Sequence, residues 1–296
     1  MSSKLSQLTH KIIKDILYIP PSTGAICSSI IKEELEKDKP SMIARFGSVE
    51  IKAVLYPRSP RILQTIFEKR VFNTMHINAG FFPSNEKTIR QFSELMYEDM
   101  KLLDVLGCWR IEERFLQNHF PLAKRVELKA LEPYLQDNPW SAVLENKKVL
   151  VIHPFNTTIE NQYKTNREFL FSNKQVLPQF KSLETIKAVQ TVAGNDTEFQ
   201  NWFEALDYMK TEINKKDFDI AIIGCGAYGF PLAAHVKRMG KKAVHLGGPT
   251  QMLFGIKGKR WIENDNFATI INDYFVFPDD KDKIQNALKV EDGCYW

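Results

Sequence analysis

The second half of the chain alternates short apolar runs with segments of helical spacing, and few architectures accept such a pattern. Lys148-Val-Leu-Val-Ile152 is a buried-strand run ending at His153-Pro154, and Thr185 to Val192 reads as another. Phe218-Asp-Ile-Ala-Ile-Ile223 is the strongest, and Ala243-Val-His-Leu246 is the last. Between them, Phe199 to Ile213 repeats its apolar residues at helical spacing, with Asp196 or Thr197 as the expected N-cap, and a further helix runs through Met239-Gly240. Strands separated by helices pair in parallel through right-handed crossovers, because the helix returns the chain to the starting edge of the sheet. The expected fold class is therefore α/β: a Rossmann-like, mostly parallel sheet flanked by helices.

The first half is richer in helix. Residues 4–18 place Leu5, Leu8, Ile12, Ile13, Ile16 and Leu17 on one helical face, which either packs on the domain or meets a membrane or partner. A helix is expected from Cys27 to Lys37, then a strand from Ser41 to Gly47. Helical spacing follows from Ile62 to Met100, broken at Asn78–Pro83, and Asp104–Cys108 reads as a short strand. This organisation predicts one domain over residues 1–278, of which 1–40 form a helical extension, and a loosely held charged tail over 279–296.

Composition narrows the function classes. Hydrophobic residues at 44% and charged residues at 26% are those of a globular chain with a sizeable core. The net charge of +4 is dispersed, so no nucleic-acid footprint is expected, while anionic small molecules or a membrane surface remain compatible partners. Cys27, Cys108, Cys225 and Cys294 form no CxxC pair and read as reduced thiols. Neither a signal segment nor a spanning run is evident, which predicts a cytoplasmic protein. Patterns for a serine hydrolase, zinc protease or P-loop NTPase are absent from the sequence.

Gly224-Cys-Gly226-Ala-Tyr228-Gly229 matches GxGxxG and follows the strongest strand. Glycines in that place either let backbone amides approach a phosphate or simply allow tight strand–helix packing. A dinucleotide site expects an acid at the end of the next strand, where this chain has His245-Leu-Gly247-Gly248. The stretch from Gly247 to Trp261 interleaves glycines with Lys257, Lys259 and Arg260. It is either a solvated basic loop or one that closes over a diphosphate, with Lys257 and Arg260 the expected contacts. His153, at a strand end beside Asn156, Thr157 and Arg167, is the candidate acid/base group, and His245 stands at a second strand end. Arg45-Phe-Gly47-Ser48-Val-Glu50 also follows a strand, and on pattern alone is either a structural ion pair or part of a site at the sheet's C-terminal edge.

Ile43-Ala-Arg-Phe-Gly-Ser-Val-Glu50 resembles the RFGDGE segment of the GT-D glycosyltransferases, a family once catalogued as a domain of unknown function. The stretch from Ile220 to His235, with Gly240 and Ala243–Gly248, is similar to that family's strand, small-residue turn, helix and glycine-ended strand. The likeness covers approximately residues 40–255. It implies transfer of a sugar from a nucleotide donor, typically a UDP-sugar, to a glycan or lipid-linked acceptor in surface-polysaccharide assembly; peripheral association with the membrane surface is the further partner expected from the charge and the N-terminal helix. The family's Asp-x-Glu supports metal-dependent donor binding. Here Glu50 matches its Glu, but Ser48 replaces its Asp, which weakens the case for Mn²⁺ or Mg²⁺ at Glu50. The rival readings are an NAD(P)-dependent oxidoreductase and a non-catalytic nucleotide- or glycan-binding protein.

Overall fold

In the computed structural model, which describes residues 21–283 and 293–295, one sheet organises the chain. The expected helix over residues 4–18 lies outside the described residues. The strands are β1 (Ser41–Ala44), β2 (Val105–Cys108), β3 (Lys124–Glu127), β4 (Lys148–His153), β5 (Ser182–Lys187), β6 (Ile220–Ile223) and β7 (Lys242–His245). They lie in the order β3-β2-β1-β7-β6-β4-β5, and every neighbouring pair is parallel. β1, β2 and β6 are buried at every residue, as strands covered on both faces must be. The two edge strands, β3 and β5, are mostly polar, which suits strands with an open side.

Helices cover both faces. On one side lie α2 (Ser48–Leu55), α3 (Arg61–Ala79), α4 (Glu86–Asp99), α6 (Trp202–Asn214) and α7 (Gly229–Arg238). On the other lie α1 (Ile26–Glu36), α5 (Asn156–Thr165) and the chain from Leu253 through α-helical Lys259–Ile262. Alternation along the strands divides the core: Met42, Ala44, Leu150 and Ile152 join the first layer, while Ile43, Val149 and Val151 join the second. Two corrections concern local structure. The helix expected from Phe199 begins at Trp202, and its cap is Asn201, whose Oδ1 accepts from the backbone of Phe203 and Glu204, both at 3.0 Å, in place of Asp196 or Thr197. Part of the charged tail is firmly held: Asp282 is buried and accepts from Thr158 N at 2.8 Å and Oγ1 at 2.6 Å.

Candidate active site

A parallel sheet ends all its strands on one side, so the loops after β1, β2, β4, β6 and β7 meet there. They surround a cavity of about 470 Å³ that straddles the edge between the two helical layers. Its wall holds Arg45, Gly47, Ser48, Glu50, His153, Gly224, Gly226, Tyr228, His245, Gly247, Gly248 and Arg260, so three widely separated stretches of sequence share one space.

Arg45 leaves the end of β1 partly buried. Its Nε and Nη2 donate to the carbonyl of Phe46 at 3.3 and 3.1 Å, and its guanidinium carbon stands 4.9 Å from the centroid of the Trp109 ring. Burial lowers its pKa, and the nearby carboxylate of Glu50 opposes that shift; a guanidinium so placed stays charged. Gly247, at φ 75°, lets the arginine pass: a Cβ there would lie 3.1 Å from Arg45 Nη1. Trp109 is fixed in turn, its Nε1 donating to Phe46 O at 2.8 Å. Glu113 accepts from the backbone of Trp109 and Arg110 at 3.3 and 3.1 Å, and burial raises its pKa to about 7.

Glu50 is in the first turn of α2, and its carboxylate folds back over Gly47, where any Cβ would collide with it. That is a favourable place for an anion at a helix N-terminus. It is also a poor start for a metal centre. Glu50 faces Arg45, Ser48 offers a hydroxyl in place of a carboxylate, and no group of three or more His, Cys, Asp or Glu among the described residues converges on one point. These donors do not fit a protein-held divalent ion, which takes carboxylate oxygens.

His153 ends β4. Its Nδ1 accepts from the backbone N–H of Phe155 at 3.0 Å, which assigns the proton of the neutral ring to Nε2. Burial lowers its pKa to about 3, so at neutral pH the side chain is an uncharged donor, without the near-neutral pKa of a proton shuttle. His245 ends β7 and is likewise held near 3, by burial and then by the charge of Arg45.

The three glycines of the turn after β6 have different jobs. A Cβ at Gly224 would lie 2.6 Å from Gly247 O, so that glycine lets two loops touch. At Gly229, the first residue of α7, a Cβ would run into the His245 ring. Only Gly226 opens toward free space: it has φ 56°, and the nearest atom to an added Cβ is Ala79 O at 3.9 Å. Backbone can come close to a ligand there, whereas Gly224 and Gly229 serve packing, and Gly229 is not part of the wall.

Other expected contacts lie elsewhere. Asn156 Nδ2 donates to Thr185 Oγ1 at 3.4 Å, Arg167 pairs with Glu168 at 2.6 Å, and Lys257 stands 5.2 Å from the Phe277 ring centroid. None of these, nor Thr157, lines the cavity. Residues that the sequence reading passed over do: Asn78, Trp109, Glu132, Thr191 and Tyr295. Trp109 directly follows an expected strand and was findable by that rule. Tyr295 had no such signal. Its phenol oxygen accepts from Arg260 Nη1 at 3.0 Å, and its ring packs against Gly248.

No protein-family model and no curated protein matches the chain. Three solved structures are similar to it. One is a selenomethionine-substituted domain of unknown function 1792, at 14% identity and TM-score 0.43, covering 82% of this chain and 83% of the other. A second, described as showing that this domain has a distinct glycosyltransferase fold, has 14% identity and TM-score 0.44, covering 79% and 80%. The third is described as a new glycosyltransferase of the same domain from Streptococcus sanguinis, at 13% identity and TM-score 0.39, covering 89% and 96%. At these values the likeness carries no chemistry across, and the function has to be read from the cavity.

Proposed function

We propose that the chain is a glycosyltransferase that moves a sugar from a nucleotide-sugar donor, a UDP-sugar, to a glycan or lipid-linked acceptor. The observation that carries this reading is the convergence, in one cavity, of two guanidinium groups, Arg45 and Arg260, with the open backbone at Gly226. A donor diphosphate needs that combination, fixed cations and close backbone, in a space of the size that holds one small ligand. The Arg45–Glu50 resemblance supplies the reaction class.

In the transfer, the bond between the anomeric carbon and the diphosphate oxygen breaks and the acceptor oxygen bonds to that carbon. The acceptor's proton goes to a base, for which Glu50 is the candidate, and the departing nucleotide keeps the electron pair. Arg45 and Arg260 stabilise the charge that gathers on the leaving diphosphate, which is the largest electrostatic task of the step. Their presence makes a resident Mn²⁺ or Mg²⁺ unnecessary. His153 would offer the bound donor one hydrogen bond, from Nε2. Placement in the cytoplasm and in surface-polysaccharide assembly belongs to the same proposal.

Thermal shift with UDP, GDP, CMP, NAD and NADP tests the reading, since a ligand that binds only the folded chain raises its apparent stability. UDP is expected to stabilise most, followed by slow release of free UDP from a UDP-sugar. Preferential stabilisation by NAD or NADP would overturn it, and so would nucleotide binding without any turnover of donor in the presence of acceptor glycans.

A further inference from the structure

α3 buries one face against the domain, through Gln64 in its first half and Val71, Met75 and Ala79 in its second, and its first half leaves four large apolar side chains uncovered. On the other side Ile62 is 70% exposed, Leu63 40%, Ile66 63% and Phe67 44%. Positions 62, 63, 66 and 67 are one turn apart in pairs, so the four form a single patch. Scattered exposed apolar residues are ordinary, but a contiguous group of large ones marks a contact surface.

Charge identifies the partner. Arg61 precedes the patch, its side chain 78% exposed and 3.5 Å from Glu86, which it shares with Arg90, and exposed Lys69 and Arg70 follow it; exposed Glu68 is the acid among them and accepts from Tyr56 Oη at 3.3 Å, so the group keeps an excess of cations. A second copy of the chain fits poorly, because an antiparallel, two-fold pairing centred between Thr65 and Ile66 sets Arg61 against Arg70. A bilayer with anionic headgroups fits both halves of the surface, accepting the apolar side chains below and the cations at headgroup level. α3 would lie in the plane of the membrane, since no helix among the described residues is long and apolar enough to cross one.

We infer that the N-terminal half of α3 docks the protein on an anionic membrane surface through Ile62, Leu63, Ile66 and Phe67. The same helix ends at the cavity, where Asn78 and Ala79 form part of the wall. Eleven residues of helix separate Phe67 from Asn78, a rise of roughly 16 Å. A headgroup-borne acceptor at the membrane surface is thus within reach of the site. This last step rests on the transfer reading; the docking does not.

Co-sedimentation of the full chain with vesicles of phosphatidylcholine alone, or with about 30% phosphatidylglycerol, tests the inference without any nucleotide. Binding is expected to the anionic vesicles only. Ile66→Asp/Phe67→Asp and, separately, Lys69→Glu/Arg70→Glu should each weaken it at least ~10-fold while leaving the thermal midpoint and the UDP-induced shift unchanged. Wild-type protein that ignores anionic vesicles would overturn the inference, as would unchanged binding by either variant. So would conversion of a wild-type dimer to a monomer by the aspartates, which would make the patch an interface between copies. Loss of binding in Ile12→Asp/Ile16→Asp, with the α3 variants unaffected, would transfer the contact to the N-terminal segment and overturn it equally.

Discussion

Arg260 and Tyr295 hold one another at the rim of the cavity: Nη1 donates to the phenol oxygen at 3.0 Å, and the guanidinium carbon stands 4.6 Å from the ring centroid. The backbone reinforces the pairing, with Arg260 N donating to Cys294 O at 3.0 Å. The cation proposed to hold a diphosphate is thereby aimed by residues 34 and 35 positions later in the chain. Arg260→Ala should weaken UDP binding by about 10-fold or more, the worth of one charge-assisted contact. Tyr295→Phe keeps the ring and should cost less than Tyr295→Ala. Titration calorimetry orders the three, and equal affinities throughout would remove the pair from the site.

Gly226 and Gly229 should separate under substitution. Gly226→Ala meets open space and pays only for its left-handed backbone, about 1–2 kcal/mol, whereas Gly226→Val should also obstruct the phosphate and weaken nucleotide binding. Gly229→Ala drives a methyl into His245 and should destabilise by about 1–3 kcal/mol. Urea unfolding and UDP affinity measured on all three variants check this. Unchanged affinity in folded Gly226→Val would show that no phosphate approaches Gly226.

Glu50 and Ser48 bear on the proton and on the metal respectively. Glu50→Gln should lower turnover at least ~10-fold, about 1.4 kcal/mol of transition-state stabilisation, without unfolding the chain. Wild-type turnover should survive EDTA, and Ser48→Asp should increase the response to Mn²⁺. Full activity in folded Glu50→Gln removes that residue from the chemistry, and complete, Mn²⁺-reversible loss in EDTA restores the metal.

Stability should depend on pH through groups of opposite sign. His153 and His245, with folded pKa values of about 3 against 6.5 for an exposed imidazole, take up protons more readily when unfolded. Their contribution is complete above pH 6.5 and is lost as pH falls towards 3. Glu113, raised by burial from 4.5 to about 7, contributes fully below 4.5, and that contribution is lost as pH rises through 7. Between those limits the two effects oppose. On going from about pH 7 to about pH 5, Glu113→Gln should therefore lose stability more steeply than wild type, and His153→Gln less steeply. Urea midpoints at the two pH values give the slopes, and parallel slopes in all three proteins would contradict both assignments.

The sheet was legible where burial on both faces forces an unbroken apolar run. β2, β4, β6 and β7 fall within two residues of the runs that announce them, and β1 starts where expected at Ser41 but ends three residues early, at Ala44. β3 escaped because Val126 is the only buried residue of Lys124-Arg-Val-Glu127. β5 was expected three residues late because its polar edge residues offer little alternation. In the site, residues at strand ends or in the turns just after them were found by topology: Arg45, His153, Gly226 and His245. Asn156, Arg167 and Lys257 were grouped with them by closeness in sequence, and the fold sends them to Thr185, Glu168 and Phe277. Tyr295 joins through its hydrogen bond and ring contact with Arg260, a meeting of distant segments that no local pattern encodes.

The register between β1 and β7 joins Ser41 to Lys242, strands some 200 residues apart in the chain. During synthesis β1 gains β2, and β2 gains β3, early, but the other edge of β1 waits for β7, roughly 10–40 s at ordinary ribosome speeds. For that interval a strand destined for complete burial offers an unpaired edge, the kind of surface on which nascent chains stick to one another. The seam that brings Arg45 against Gly247 is thus among the last parts of the sheet to close, and a product released before Lys242 would have neither the finished sheet nor the pocket.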